Sequence, residues 1–295
     1  MEVVGEKGLL PDAPMSEHTS FRAGGKADLL VIPASREQLT GVLEILFDAE
    51  IEAYIMGNGS NILVRDGGYR GVIVKVGPGL SKIEVSGNRI YAESGALLKH
   101  IAAAALENGL TGFEFAAGIP GSLGGALYMN AGAYEGEMKD VVDAVEVIDL
   151  DSREEFELRN KDMRFAYRRS RLMDQPLVAL AAVLRLTAGD PVFIQEKMED
   201  FANRRRSKQP INYPSGGSFF KRPTGHFAGK LIQDAGLMGR RVGGASVSTL
   251  HAGFIINDQG ATASDILKLM EEVQEAVYKN SGIRLEPEIR IIGEE

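Results

Sequence analysis

The chain has 295 residues, 44% of them hydrophobic and 25% charged, and a formal net charge of −8. That length implies two or three compact units, and the acidic balance argues against a general nucleic-acid or anionic-membrane binder. With no cysteine and four histidines, thiol nucleophiles, disulfides and thiolate-bound metals are excluded and a histidine-built metal site is disfavoured, so redox chemistry here requires an organic cofactor.

No apolar run approaches the roughly 20 residues of a membrane span. The N-terminus lacks the pattern of a signal peptide, so a cytoplasmic location without membrane insertion is expected. In chain order, Leu29–Pro33 reads as a strand, and Ser35 to Gln38 forms a capping-box pattern opening a helix to about Asp48. A buried strand at Ile51–Met56 runs into GNGSN (57–61), followed by short strands near Ile62–Val64 and Val72–Val76. A hairpin is predicted at Ile83–Ala92, turning on Gly87-Asn88. The Ala-rich stretch Gly95–Asn108 reads as a helix stopped by Gly109.

Residues 116–136, AAGIPGSLGGALYMNAGAYEG, hold six glycines, one acid (Glu135) and no Lys or Arg. Strands are expected at Val141–Leu150 and Leu177–Leu186, and an amphipathic helix from about Phe193 to Arg206 links two units. The last unit opens near Pro210 with a GGSFF turn and an Ala-Gly-rich helix around His226–Ala235. A strand follows near Gly253–Asn257, then a helix at Ser264–Lys279 with Ile266, Leu269, Met270, Val273 and Val277 on one face. Asn280-Ser-Gly282 stops it, and Leu285–Ile292 reads as a terminal strand. This mixture points to α+β units, not a βαβ repeat.

Glycines let peptide N–H groups approach an anion unhindered by Cβ. GNGSN follows a strand, as a nucleotide loop should, but Ile62 stands where the Rossmann fingerprint requires a third glycine. By itself it reads equally as a tight turn; coupled to the 116–136 loop it reads as part of a ligand site. YRRSR (167–171) is either a solvated basic turn or a source of one inward guanidinium for a carboxylate or oxyanion. From Asn203 to Arg222 the chain has six basic residues and no acid, a cationic patch suited to a phosphate-bearing small ligand. In SGGSFFK (215–221), Ser218 is either part of a core turn or a hydroxyl held dry by the two phenylalanines, with Lys221 to stabilise its alkoxide. LEPEIR (285–290) carries Glu286 and Glu288, which share a face if the segment is a strand.

Seven motifs in order, HTSFRAGGKAD (18–28), GNGSN, AAGIPGSLGGALYMNAGAYEGE, YRRSR, SGGSFFK, FAGKLIQDAGL (227–237) and LEPEIR, closely resemble the bacterial UDP-N-acetylenolpyruvoylglucosamine reductase family of flavoenzymes. The resemblance implies an α+β chain: a two-subdomain FAD-binding fold of the vanillyl-alcohol-oxidase type plus a C-terminal α+β substrate-binding domain. The corresponding boundaries are 1–78, joined by the terminal strand 285–295, then 79–203, then 204–284. It implies FAD as cofactor, NADPH as co-substrate, and reduction of UDP-N-acetylglucosamine enolpyruvate to UDP-N-acetylmuramate for peptidoglycan, by ping-pong hydride transfer through flavin N5.

By the same resemblance, Arg168, Ser218 and Glu288 are the catalytic residues: Arg168 stabilises charge, and Ser218 protonates C2. Glu288 either donates a hydrogen bond to the substrate carboxylate or orients Arg168. Gly57, Asn58, Gly59, Ser60, Asn61, Gly118, Ile119, Ser122, Gly124, Gly125, Asn130 and Gly132 are the expected cofactor-binding residues. Tyr167, Arg204, Lys208, Lys221 and Arg222 are the expected substrate-binding residues, and no metal is implied. Only a few residues separate Arg171 from Leu177, so the chain resembles the shorter family type, which lacks an inserted Tyr loop. A monomer without nucleic-acid partners is expected. Alternative readings are an FAD-dependent oxidase of the same fold and a non-catalytic nucleotide-sugar sensor.

Overall fold

In the computed structural model, which describes residues 3–134 and 136–295, Ser35 caps helix α1 (Arg36–Asp48) by accepting the Gln38 N–H at 3.2 Å. The reciprocal half of the expected capping box differs. Gln38 Oε1 reaches the Ala34 N–H at 2.7 Å instead of that of Ser35, one residue further out. Helix α2 (Leu98–Glu107) buries Leu98, Ile101, Ala102 and Ala105, an i, i+3, i+4, i+7 stripe. It starts three residues later than expected because Gly95 belongs to a turn. A Cβ there would fall 2.1 Å from the Gly77 carbonyl.

A four-stranded sheet has the order Leu9–Pro14, Lys26–Val31, Tyr69–Lys75, Ala53–Met56. Its last two strands run parallel, with Met56 opposite Lys75. A five-stranded antiparallel sheet has the order Glu155–Arg159, Val142–Asp149, Leu177–Arg185, Arg89–Glu93, Ile83–Ser86. The predicted 83–92 hairpin forms, with Gly87 at φ 59° in its turn. Glu155–Arg159 was not expected as a strand, although Phe156 and Leu158 alternate with the charged Glu155, Glu157 and Arg159; of the five only Leu158 is buried.

The glycine-rich stretch is not wholly irregular. Helix α3 (Leu123–Met129) lies inside it and buries Leu123, Ala126 and Leu127. The i, i+3, i+4 period is present in the sequence but masked by Gly124-Gly125, which have poor helix propensity. Glu135 lies outside the described residues. A short helix α4 (Met138–Val141) follows, opened by a Glu137–Asp140 capping box.

Helix α5 (Pro191–Lys208) is mostly exposed and buries only Ile194 fully, with Met198 and Phe201 partly buried against the core, so its apolar face is narrow. It is held by side-chain contacts: Phe201 stacks on Tyr134 with ring centroids 4.4 Å apart, and the Tyr134 hydroxyl donates to the Phe201 carbonyl. Helix α6 (Ala228–Asp234) and helix α7 (Ala263–Ser281) follow. Thr262 and Asp265 form both halves of a capping box, Gly282 ends α7 at φ 72°, and Ile266, Leu269, Val273 and Val277 are buried. A three-stranded antiparallel sheet orders Arg241–Val242, Ala245–Val247 and Ile255–Asn257.

The terminal strand is shorter than expected. Only Arg290–Ile292 is regular, pairing in parallel with Ile62–Val64. Pro287, which lacks an N–H, instead bridges Phe220, with ladder hydrogen bonds supplied by its neighbours.

Two compact units result. One comprises the chain up to Leu10, Leu30–Asn58 and Val72–Arg204; the other comprises Pro11–Leu29, Gly59–Gly71 and Arg205–Glu295. The core of the first gathers Ile90, Leu98, Ile101, Leu127, Val145 and Leu184. That of the second gathers Phe21, Leu63, Phe219, Ile266, Leu269 and Val273.

Candidate functional site

In the first unit the two glycine loops meet. A Cβ on Gly57 would lie 2.3 Å from Ser122 Oγ, and the Asn58 amide donates to the Pro120 carbonyl at 3.0 Å. Glycine at 57 is therefore required by the close approach of the 118–125 loop. Ser122 stands at the N-cap of α3, yet its hydroxyl makes no capping bond. It is 2% exposed and has no hydrogen-bond partner. Leaving a buried hydroxyl unpaired costs about 1–3 kcal/mol, so this geometry suits a hydroxyl that meets a ligand.

Ser94, which sequence reasoning did not single out, is also buried without a partner. Its carbonyl accepts the Gly124 N–H at 2.7 Å, and its Cβ would sit 3.0 Å from a Cβ on Gly124. Two orphaned hydroxyls thus flank the start of α3. A single Ser after a strand carries no sequence signal. Lys75, half-buried opposite Met56 and just ahead of the GNGSN loop in register, was likewise missed; burial pushes its amine pKa down.

Asn130 behaves differently from Ser122. It ends α3 in the left-handed conformation, φ 42°, and is fully buried. Its amide donates to Glu137 Oε2 at 2.9 Å and to the Ala166 carbonyl at 3.0 Å, while its Oδ1 accepts the Lys139 N–H at 2.9 Å. Gly132 is set by close approach, since a Cβ would fall 2.6 Å from the Gly136 carbonyl.

Arg168 lies in the two-residue turn that Ala166 and Arg169 close by exchanging backbone hydrogen bonds of 3.0 and 3.1 Å. Its φ is 53°, a region that costs a non-glycine residue of order 1 kcal/mol and that clusters at functional sites. Arg168 is half-buried, and its guanidinium lies 5.1 Å from the centroid of the ring of exposed Tyr167. Neighbouring Arg169 pairs with Asp174 at 2.8 Å. The two guanidinia of this basic turn therefore have distinct environments.

The second unit brings the other predicted segments together. Phe219 accepts the Glu288 N–H and Glu286 accepts the Lys221 N–H, both at 2.8 Å, so SGGSFFK and LEPEIR run side by side. The Asn61 amide donates to the Glu288 carbonyl at 3.1 Å, and the Ser20 hydroxyl faces the carbonyls of Ser215 at 2.6 Å and Ser60 at 3.2 Å. The end of GNGSN, in Gly59, Ser60 and Asn61, is thus built into the same network. Thr19 is a third buried hydroxyl without a partner.

Ser218 is exposed, which corrects the expectation of a hydroxyl kept dry by Phe219 and Phe220. Both rings turn into the core, Phe219 edge-on to Phe21 with centroids 6.0 Å apart. Lys221 pairs with Glu286 at 3.3 Å instead of standing free to stabilise an alkoxide. Glu286 is exposed and Glu288 half-buried, so the two carboxylates do not share an environment. Part of the cationic patch is neutralised locally, since Arg204 pairs with Asp200 at 2.8 Å; Arg222 keeps its charge and lies over the Phe227 ring at 3.9 Å. Lys208 is exposed. A cleft of about 410 Å³, lined by Arg206, Tyr213, Arg241, Ser246, Leu250 and Asp258, opens in this unit. Arg241 closes a bidentate pair with Asp258 there.

Comparison with known proteins agrees with this geometry. Residues 27–154 match the FAD binding domain family, and residues 209–292 match the C-terminal domain of UDP-N-acetylenolpyruvoylglucosamine reductase. The chain is 50% identical over 292 residues to the UDP-N-acetylenolpyruvoylglucosamine reductase of Clostridium perfringens SM101, covering 99% of this chain and 95% of that one. It is 47% identical to that of Clostridioides difficile, covering 100% and 97%. The crystal structure of the Thermus caldophilus reductase superposes with a TM-score of 0.83 at 31% identity, covering 96% of this chain and 97% of that one.

The α+β fold with an FAD-binding domain stands, and the residues present fit the cofactor. The Ser122 hydroxyl, buried and without a partner in the protein, keeps hydrogen-bonding capacity that a dinucleotide could use. Among the described residues no cluster of His, Asp or Glu could hold a metal ion, and no helix is long and apolar enough to cross a membrane. The chain is a flavoprotein that belongs to the UDP-N-acetylenolpyruvoylglucosamine reductase family.

Proposed function

We propose that this chain reduces UDP-N-acetylglucosamine enolpyruvate to UDP-N-acetylmuramate at the expense of NADPH, a step of peptidoglycan precursor synthesis in the cytoplasm. The observation that carries the reading is the side-by-side pairing of the Ser218 and Glu288 segments, together with a full-length match to the named reductases. When bound, FAD supplies the two-electron relay, taking hydride from NADPH and passing it to C3 of the enolpyruvyl group.

The chain's own residues then manage charge and protons. Arg168 stabilises the negative charge that develops toward C2 and the substrate carboxylate, a role suited to its planar, permanently charged guanidinium. Ser218 donates a proton to C2, completing saturation of the double bond. Its exposure leaves it open to a substrate, and its dryness then comes from the ligand rather than from Phe219 and Phe220. Glu288 either donates a hydrogen bond to the substrate carboxylate or orients Arg168. Ser122, Gly57, Gly124 and neighbouring peptide groups hold the cofactor. Asn58, Gly59, Ser60, Asn61, Gly118, Ile119 and Gly125 belong to the same loops, and Asn130 and Gly132 shape their far end. Tyr167, Arg204, Lys208, Lys221 and Arg222 serve the substrate's phosphates and sugar.

The domain division that accompanies this reading is 1–78 with 285–295, 79–203, and 204–284. The parallel pairing of Arg290–Ile292 with Ile62–Val64 supports joining the terminal strand to the first segment. The test is anaerobic: reduce the purified yellow protein with NADPH, then add UDP-N-acetylglucosamine enolpyruvate. Reoxidation by that compound supports the reductase. Reoxidation by air alone supports an oxidase, and failure of NADPH to bleach the flavin supports a sensor.

A further inference from the structure

Both ends of the Arg168 turn are tied to the last turn of α3. At one end the Ala166 carbonyl accepts two hydrogen bonds, from the Arg169 N–H at 3.1 Å and from the Asn130 amide at 3.0 Å. At the other, the Ser170 hydroxyl donates to the Tyr128 carbonyl at 2.9 Å. Tyr128 lies in the last turn of the helix, where carbonyls lack intrahelical partners, and Ser170 supplies a donor to its carbonyl. Ser170 and Asn130 are both fully buried. The opposite end of α3 begins at Ser122 and Gly124, in the loop that meets Gly57. Seven helical residues span about 10 Å, so one short rigid element carries the cofactor loop at its start and the tethers of Arg168 at its end.

We infer that Ser170 is a positioning residue that sets Arg168, through the Tyr128 carbonyl, in register with the cofactor loop. The inference rests on the assignment of Arg168 to charge stabilisation. A turn with a non-glycine residue at φ 53° keeps that conformation only while its surroundings hold it. Without the Ser170 tether the turn relaxes and the guanidinium shifts. A displacement of about 1 Å at a reacting centre costs up to about 100-fold in rate.

The test uses the flavin-loaded full chain and follows each half-reaction by stopped-flow absorbance. Ser170→Ala is expected to slow reoxidation by UDP-N-acetylglucosamine enolpyruvate about 10- to 100-fold, with flavin reduction by NADPH within about 2-fold of the parent. Ser170→Thr, which keeps the hydroxyl, restores most of the rate. In an Arg168→Ala background the Ser170→Ala effect vanishes, because a residue acting through Arg168 has nothing left to position. Equal slowing of both half-reactions, an unchanged reoxidation rate, or the same effect in both backgrounds would overturn the inference. If Arg168→Ala alone reoxidises at the parent rate, it is the role of Arg168 that has failed. Ser170→Cys, which keeps the volume and weakens the donor, gives the same comparison should the alanine variant not fold.

Discussion

Ser122→Ala separates cofactor binding from folding because the two effects have opposite signs. Ser122 is 2% exposed, and its hydroxyl has no partner within the protein. Removing it relieves a desolvated group, and the apoprotein gains about 1 kcal/mol, or roughly 2 °C in melting temperature for a chain of this size. On the proposed assignment of this hydroxyl to an FAD phosphate, the same substitution removes from the holoprotein a charge-assisted hydrogen bond worth about 1.5–3 kcal/mol. FAD affinity then falls about 10- to 100-fold. The assays are apoprotein thermal melts and an FAD titration followed by quenching of flavin fluorescence.

Gly57 provides an internal control. A methyl there would lie 2.3 Å from Ser122 Oγ and force the hydroxyl aside, but with that oxygen absent the nearest remaining atoms stand at 3.7 Å, an ordinary contact. Gly57→Ala therefore weakens FAD binding in the parent and adds little in the Ser122→Ala background. An unchanged FAD dissociation constant in Ser122→Ala, or a less stable apoprotein, would refute the assignment of this hydroxyl to the cofactor.

Three further outcomes are expected. Ser218→Ala slows reoxidation of the reduced flavin by the enolpyruvyl substrate about 10²–10⁴-fold and leaves reduction by NADPH nearly intact; stopped-flow traces with both steps equally impaired would remove Ser218 from the proton-donor role. Asn130→Ala deletes three buried hydrogen bonds and lowers stability by about 2–3 kcal/mol, read by chemical denaturation; a change under about 0.5 kcal/mol contradicts its structural weight. Asp66 accepts the Ala263 and Ser264 N–H groups at 2.8 Å and the Ser264 hydroxyl at 2.6 Å, at the start of α7. Burial raises its pKa, but these hydrogen bonds prevail and hold it below the ordinary 3.8. The native pKa is therefore the lower one, so the stabilisation is complete above the unfolded value and fades as pH falls through the native value. Asp66→Ala should cost about 1 kcal/mol at neutral pH, a difference from the parent that closes in acid; a gap independent of pH would show that the carboxylate charge is not involved.

Periodicity and terminal signals placed much of the fold without tertiary information. The stripe of Ile266, Leu269, Val273 and Val277, with Gly282 behind it, defines α7, because a helix needs one apolar face and a left-handed stop. Gly87-Asn88 locates the hairpin, since its turn demands positive φ. The missing Rossmann glycine at Ile62 and the ordered motifs pointed to a flavoenzyme of a non-Rossmann kind. These features depend on residues near one another along the chain.

Long-range packing decided the rest. Ser122 and Asn130 belong to one glycine-rich stretch and look alike as polar residues there. Only the folded chain leaves one hydroxyl orphaned and gives the other side chain three partners. No local signal predicts that Phe219 and Phe220 turn into the core and expose Ser218, or that Pro287 breaks the terminal strand while its neighbours pair with Phe219 and Lys221. The partners of a backbone group or a buried hydroxyl come from segments distant in sequence. The sequence alone determined which chemical groups are available, and tertiary structure decided which of them are already satisfied and which remain for a ligand.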